Sequence, residues 1–485
     1  MESTPSRLRM PGNRRLHLLL AGAAGVLVGV IAAVLLLGGG DDAPPPAAAT
    51  AKLVPASTLV YVHLSTDGQR DGTARALEVA RGFPGWNGLR DRTVRQLVAA
   101  GRQGATAKGI APFLGDEAAL ALTDRGTETA GSLVMLQVTN KAAANRYLEE
   151  GQGSVREGEA RGIETRTFGT LVTAIVGDVL CIGQLQSVRE AIELSTGRGA
   201  SLADDPSYQR AMQGMPADRA ADAWATADGI RRLLAPQAGA LGLAGVLLDT
   251  PGLRAAALSL SGADEGLALR VRRLVDPDAQ AKGAKTFTPT LAKDMPDDVF
   301  AFADLRNVAG VAQRFLALAA QNSEARALLQ AAQQGGALKF LRGEVGVGLS
   351  PAAGASVLTL VSRTDDPAAA KKALASLKKP LVGAVVDDRV IVSTSLAGLE
   401  SAKDPDPPLS GTDNFQKAVG DSGKEVSSLL FLDFTQLLRL GEQTGLRDNR
   451  QYLAVAPDLE KIRAIGVSST TEEGASTSEI NLLIP

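Results

Sequence analysis

The sequence predicts an α+β fold with mostly antiparallel sheet, in two tandem related lobes behind an N-terminal transmembrane helix. Three observations predict it. One long apolar run lies near the N-terminus. A set of markers recurs in the same order in both halves of the remaining chain. The strands are short, alternate in polarity and are joined by tight hairpin turns rather than by crossover helices.

Composition bounds the reading. At 485 residues the chain exceeds what one core organises, so two domains or a duplication are expected. With 45% hydrophobic and 21% charged residues it falls with globular rather than disordered chains. Lys+Arg number 51 against Asp+Glu 53, a net charge of −2. That leaves no basic excess to hold nucleic acid by counterion release, and no nucleic-acid partner is expected. One cysteine excludes an internal disulfide and any Cys-rich metal site, and two histidines leave little for His-based catalysis.

Residues 1–15 form a basic tail with Arg7, Arg9, Arg14 and Arg15, and no charge interrupts the run from Leu16 to Gly40. A bilayer core needs about 20 apolar residues of helix, so residues 16–38 are read as a signal anchor. The arginines before it and Asp41 and Asp42 after it place the N-terminus in the cytoplasm and the rest of the chain outside. A cleaved signal peptide would have an apolar core of about 7–15 residues, shorter than this one. No cysteine follows the run to carry a lipid. His17 reads as an interfacial residue. Residues 39–52, rich in Pro and Ala, form a semi-rigid linker. The later apolar stretch Ala235–Gly252 is short and Gly-broken and reads as a helix-loop.

The ectodomain then reads twice, as residues 53–280 and 281–485. Val54–Leu64 matches Met295–Leu305, with Pro55 against Pro296. Leu114–Thr123 matches Leu341–Ser350, and Ser132–Leu148 matches Ser356–Leu374. Leu171–Gly183 matches Leu381–Ser393, with Asp178 against Asp388. Asp205–Met212 matches Thr412–Val419, Ala223–Leu234 matches Leu430–Leu440, and Leu253–Leu274 matches Ile462–Leu483. The pairs Tyr208/Phe415 and Trp224/Phe431 are equally far apart along the chain.

Each copy predicts the same elements. An opening strand precedes amphipathic helices at Thr73–Arg81 and Asp91–Gln103, or at Val308–Ala320 and Ser323–Gln334. Two strands, a helix and a hairpin follow, with the hairpin turning at Gly177-Asp178 or Asp387-Asp388. Two helices, a short strand, a helix and a closing hairpin complete the copy. Asp205 before Pro206, and Thr412 before Asp413, carry the residue types that cap helix N-termini. Asp228 and Thr435 are read the same way before the next helix.

The strand PASTLVYVHL, the segment FPGW (Phe83–Trp86), PFLGDEAALAL (Pro112–Leu122) and WATADGIR (Trp224–Arg231) together resemble a bacterial membrane-anchored family, domain of unknown function 3352. The resemblance covers Leu53 to Pro485. It implies an envelope protein and supplies no catalytic residue.

Groups with chemical potential are few. GDSG at Gly420–Gly423 is similar to the nucleophile loop of chymotrypsin-like proteases, but Lys424 and Glu425 follow it, so it reads as a turn. His63 alternates with Tyr61 and Leu59 and reads as a half-buried or edge imidazole. Asp116 and Glu117 match Glu344 after a Gly turn and read as strand-start acids. As a binding or hydrolytic trio they would have to converge in a cleft between the lobes. Cys181 reads as a buried small hydrophobe, and Lys371–Lys379 as a solvated basic face. No catalytic, cofactor-binding or metal-binding residue is assigned. The expected function is non-enzymatic: a binding or scaffold module of the envelope. Its expected partners are the cytoplasmic membrane and an envelope protein, lipid or glycan.

Overall fold

A computed structural model describes residues 49–88, 107–126, 130–149, 155–236, 248–279, 286–306, 343–352, 355–377, 379–420, 424–443 and 445–485. The expected span 16–38 lies outside them, as do the helices expected at 91–103, 308–320 and 323–334 and most of Ala235–Gly252. Among the described residues no helix is long and apolar enough to cross a membrane. The chain divides into two compact units, Met1–Gly262 with Arg272–Asp276, and Ala263–Val271 with Pro277–Pro485.

Unit 1 opens with a 3-10 turn, Ala49–Leu53, and then β1 (Thr58–Ser65). Helix α1 (Asp71–Arg81), β2 (Leu114–Thr123), β3 (Gly131–Val138) and α2 (Lys141–Glu149) follow. Next come β4 (Val155–Ala160), β5 (Ile163–Phe168), β6 (Leu171–Val176) and β7 (Val179–Gly183). Helices α3 (Leu185–Ser195) and α4 (Pro206–Met212) precede β8 (Ala221–Thr226) and β9 (Leu253–Ala263), and β10 (Gly266–Val275) runs from the Ala263–Val271 stretch of unit 2 into the Arg272–Asp276 stretch of unit 1. The strands pair antiparallel in the order β6-β7-β3-β2-β1-β8-β9, and β5 and β4 extend the β6 edge.

Unit 2 repeats that order. A 3-10 turn, Leu291–Asp294, leads into β11 (Ala301–Arg306), β12 (Glu344–Ala352), β13 (Ala355–Arg363) and α5 (Pro367–Leu374). The strands β14 (Val382–Val386) and β15 (Arg389–Ser393) precede α6 (Leu396–Lys403), α7 (Asp413–Val419) and β16 (Ser428–Asp433). Helices α8 (Phe434–Gln443) and α9 (Arg450–Leu459) and the hairpin of β17 (Ala464–Glu472) and β18 (Ala475–Leu483) close the chain. The pairing runs β14-β15-β13-β12-β11-β16-β17-β18.

The hairpin turns fall where Gly, Asn or Asp can take a left-handed backbone. Gly177 stands at φ +60° and Asp387 at φ +54°. The sequence did not signal the β4–β5 hairpin of unit 1. Its residues alternate polar types and β4 is almost wholly exposed, so no apolar period marks it. It has no counterpart between α5 and β14. That insertion is why matched residues lie closer together in sequence after it.

The same three ring positions fill both cores. In unit 1, Tyr208 packs edge-on between Tyr61 and Trp224, at centroid separations of 6.0 and 5.9 Å. In unit 2, Phe415 packs between Phe302 and Phe431 at 6.1 and 5.1 Å. The three phenylalanines join Leu291 and Met295 in one apolar cluster. Each edge-to-face pair adds about 0.5–1.5 kcal/mol beyond its area burial.

One expectation is overturned by β1. Alternation of His63 with Tyr61 and Leu59 suggested a strand with one open face. All eight residues of β1 are buried, because β2 and β8 flank it on both edges and both of its faces are covered. His63 is 1% exposed.

The helix caps divide. Asp205 accepts from the Tyr208 N–H and caps α4, as expected. The Thr412 hydroxyl instead donates to the Leu409 carbonyl, so it makes no cap on α7. Asp228 and Thr435 are not caps either. The caps stand two residues earlier, where Thr226 accepts from Gly229 N–H and Asp433 from Gln436 N–H. The chain leaves β8 and β16 straight into a helical turn, so the last strand residue is the one with extended backbone that a cap needs.

Candidate functional site

The register of unit 1 brings its ionisable residues together inside the sheet. His63 on β1 stands opposite Asp222 on β8, and Glu117 follows the one exposed residue of β2, Asp116. His63 Nδ1 lies 3.2 Å from Asp222 Oδ2, and its Nε2 lies 3.5 Å from Glu117 Oε1. Arg219 donates from Nε to the same Asp222 oxygen at 2.6 Å. All four residues are buried. With His63 protonated, two cations face two carboxylates and the cluster is neutral.

Glu117 has a second task. Its carboxylate accepts from the backbone N–H of Ala49 at 3.1 Å and of Thr50 at 2.8 Å, and from the Thr50 hydroxyl. Thr50 Oγ1 is also 2.7 Å from Tyr61 Oη. A hydroxyl has one proton, and the carboxylate takes that of Thr50, so Tyr61 donates to Thr50. The glutamate thus fastens the turn that leads into unit 1.

The electrostatics follow from this packing. Burial alone would pull the His63 pKa down, but the charge and hydrogen bond of Asp222, with Glu117, outweigh it and raise it, against Arg219. Burial would raise Asp222, yet His63 and Arg219 hold it below the ordinary carboxylate range. Burial pushes the Tyr61 hydroxyl well above its usual value. His63 is held between two carboxylates and is almost wholly shielded from solvent, whereas a general base needs access to the proton it removes.

The same places in unit 2 carry different residues. Asp304 takes the place of His63 and pairs with Leu429 where His63 pairs with Asp222. Glu344 takes the place of Glu117 and accepts from the Thr290 N–H and hydroxyl. Asp304 Oδ2 accepts from the Leu291 N–H at 3.2 Å. Burial, and then the neighbouring Glu344 carboxylate, push the Asp304 pKa up to about 8. Glu117 and Glu344, read from sequence as a matched pair, are each spent on a threonine of their own unit. Asp116 is exposed and accepts through its backbone from Thr66 N–H.

Cys181 is fully buried on β7, and burial pushes its thiol up to about 12. Gly420 ends α7 at φ +69°, and residues 421–423 of the GDSG run lie outside the described residues. Lys371 and Lys372 are exposed on α5. Among the described residues no group of His, Cys, Asp and Glu could hold a metal ion.

Sequence reading missed one feature of unit 2. An open depression of about 630 Å³ is lined by Asp297, Asp298, Asn414, Asp433, Arg439 and Arg463, among others. Asp433 is committed to its cap and to Asn414, and Asp298 to Ser350. Arg439 and Arg463 show no ion pair among the described residues. Their counterparts in unit 1 are neutralised, Arg232 by Asp228 and Asp124, and Arg254 by Asp276. The signal was present in the sequence as Thr435 standing where Asp228 stands.

No curated protein matches the chain by sequence. Among solved structures, crystal form IV of TP0453 is similar at 12% identity and a TM-score of 0.29, covering 48% of this chain and 81% of that chain. Crystal form III of TP0453 is similar at 12% identity and a TM-score of 0.30, covering 50% and 82%. The family model described as "Protein of unknown function (DUF3352)" matches residues 20–382 and 378–484, and the chain therefore belongs to that family.

Proposed function

We propose that the chain is a single-pass membrane protein of the bacterial envelope, with two α+β units related by internal duplication held outside the cytoplasmic membrane as a non-enzymatic binding or scaffold module. The observation that carries the placement is the uncharged run from Leu16 to Gly40, with arginines before it and Asp41, Asp42 and a Pro/Ala linker after it. The common strand order and the matched ring triads support the duplication. The commitment of His63, Glu117 and Glu344 to contacts within their own units supports a structural use of the residues best suited to catalysis.

A second reading, a ligand-binding module, is favoured by the unit 2 depression, whose Arg439 and Arg463 have no ion pair among the described residues. Its polar lining suits a small charged ligand rather than an apolar one.

Fusing alkaline phosphatase or green fluorescent protein to the C-terminus of the full chain tests topology. Active phosphatase with dark fluorescent protein is expected, and the reverse pattern overturns the placement. Native mass spectrometry of the gently extracted chain separates the two readings. Protein partners alone support the scaffold, and a reproducible small bound ligand supports the second reading.

A further inference from the structure

The lead-in turns of the two units are held by the same device with opposite chemistry. In unit 1 the Glu117 carboxylate grips Ala49 and Thr50, and the His63 ring stands 3.5 Å behind it. In unit 2 the Glu344 carboxylate grips Thr290 while Asp304, from the position equivalent to His63, grips Leu291. Each turn is therefore held by a glutamate carboxylate that stands beside a second, buried ionisable group on the central strand.

We propose that both lead-in turns are proton-held latches, closed while His63 and Asp304 each keep one proton and loosened together when alkaline pH removes it. The device goes beyond the binding or scaffold reading and does not depend on it.

The balance of charge gives the reason. Around His63 stand Glu117 from β2, Asp222 from β8, Arg219 just before β8, Tyr61 on its own strand and Tyr208 on α4. Losing the His63 proton leaves two buried carboxylates facing one guanidinium. Around Asp304 the nearest ionisable group is Glu344 on β12; Arg306 stands opposite Glu344 on β11 and donates to the Thr286 carbonyl, Arg363 is bonded to Asp294 and Asp388 while also attracting Glu344, and Arg389 is paired with Asp294. Losing the Asp304 proton leaves a buried carboxylate beside the half-buried carboxylate of Glu344, which like charge and the desolvation of Asp304 oppose. In both units the strain falls on the glutamate, and the contacts it can release are those to the turn. A histidine gaining a negative charge imbalance by losing a proton, and an aspartic acid gaining one by the same loss, act in the same direction.

Hydrogen exchange on the full-length chain in detergent, corrected for the intrinsic rate at each pH, tests this between pH 6 and pH 9. Protection of residues 49–53 and 290–294 should fall by up to about tenfold per pH unit once the proton is lost, while the β17 amides stay protected. Asp304→Asn mimics the protonated acid, so it should keep residues 290–294 protected at pH 9 and leave residues 49–53 responding as before. His63→Gln should weaken residues 49–53 already at pH 6 and flatten their profile. Flat protection of both turns in the unaltered chain, or an Asp304→Asn profile identical to it, overturns the proposal. If His63→Gln fails to fold, the Asp304→Asn comparison decides alone.

Discussion

The two units place their side chains alike and fill those places differently. The ring triad is Tyr61, Tyr208 and Trp224 in unit 1, and Phe302, Phe415 and Phe431 in unit 2. Beside it, His63 and Asp222 in unit 1 stand where Asp304 and Leu429 stand in unit 2. One core carries a closed ionic cluster beside its ring triad, and the other sets a single buried acid, Asp304, beside an all-phenylalanine triad. Sheet geometry accepts both, because strand order is set by the apolar periods and hairpin turns common to them. What differs is the way each core fails. A buried ion cluster adds little when whole and costs a great deal when broken. An apolar core loses stability in proportion to the volume removed.

The largest expected effect breaks that comparison directly. Asp222→Leu copies the residue of unit 2 into unit 1 and leaves His63 and Arg219 buried without their shared carboxylate. It should cost about 3–5 kcal/mol, the range for removing one partner of a buried pair. Both tryptophans, Trp86 and Trp224, lie in unit 1, so tryptophan emission in urea follows that unit. A loss below about 1 kcal/mol would show that the cluster contributes to neither stability nor specificity.

The pH response sharpens the comparison. Asp304 has its pKa pushed up to about 8 in the folded chain, against an unfolded value near 3.9. Folded unit 2 therefore binds the extra proton, and the stability linked to it is full below the unfolded value and lost as pH rises toward 8. His63 is also raised, so its contribution is full below about 6.5 and lost at higher pH. Asp222 is lowered, and its contribution is lost only in acid. The difference in urea midpoint between the unaltered chain and Asp304→Asn should therefore grow between pH 5 and pH 8, while tryptophan emission, which follows unit 1, stays the same in both.

Packing distances give a smaller effect. Helix α7 lies so close to β17 that a Cβ on Gly466 would stand 2.1 Å from the Ala418 carbonyl oxygen. The matching position in unit 1 is Ala257, which is buried with its Cβ in place. Gly466→Ala should cost about 1–3 kcal/mol by overpacking. Ala257→Gly should cost about 0.5–1 kcal/mol, through chain entropy. Equal costs in denaturant melts would mean that the two helices sit equally far from their strands.

Much of this architecture was legible. Pro55 against Pro296, Tyr208 against Phe415 and Trp224 against Phe431 fixed the matched elements, because apolar periods and turn residues repeat even where identity does not. The site was half legible. Glu117 against Glu344 was visible as a pair, but their partners, Thr50 and Thr290, were not, since nothing in sequence tells which backbone N–H groups a carboxylate will reach. His63 was misplaced as half-buried because alternation in a central strand describes two buried faces as readily as one. The β4–β5 hairpin was invisible, because its few apolar residues, Val155, Ala160, Ile163 and Phe168, stand at its ends and make no period. The unit 2 depression needed the structure to gather Arg439 of α8 with Asp297 and Arg463, which stand in the connections before β11 and β17.

Helix caps carry the smallest expected difference, and they test whether matched positions do matched work. Asp205 caps α4 through a 2.8 Å bond from the Tyr208 N–H. Thr412, at the same place before α7, turns its hydroxyl toward the Leu409 carbonyl and leaves the early N–H groups of α7 uncapped by its side chain. Asp205→Ala should therefore cost about 1 kcal/mol. Thr412→Ala should cost no more than the hydrogen bond it loses, about 0.5 kcal/mol. Thr412→Asp is the informative variant. Its backbone already has the extended conformation that Asp205 has, φ −76° against −71°, so an aspartate there should find the helix N-terminus and stabilise unit 2 by up to about 1 kcal/mol. No gain in the unit 2 transition would mean that the turn before α7 holds the side chain away from the helix axis, and that the two units differ in local backbone as well as in core chemistry.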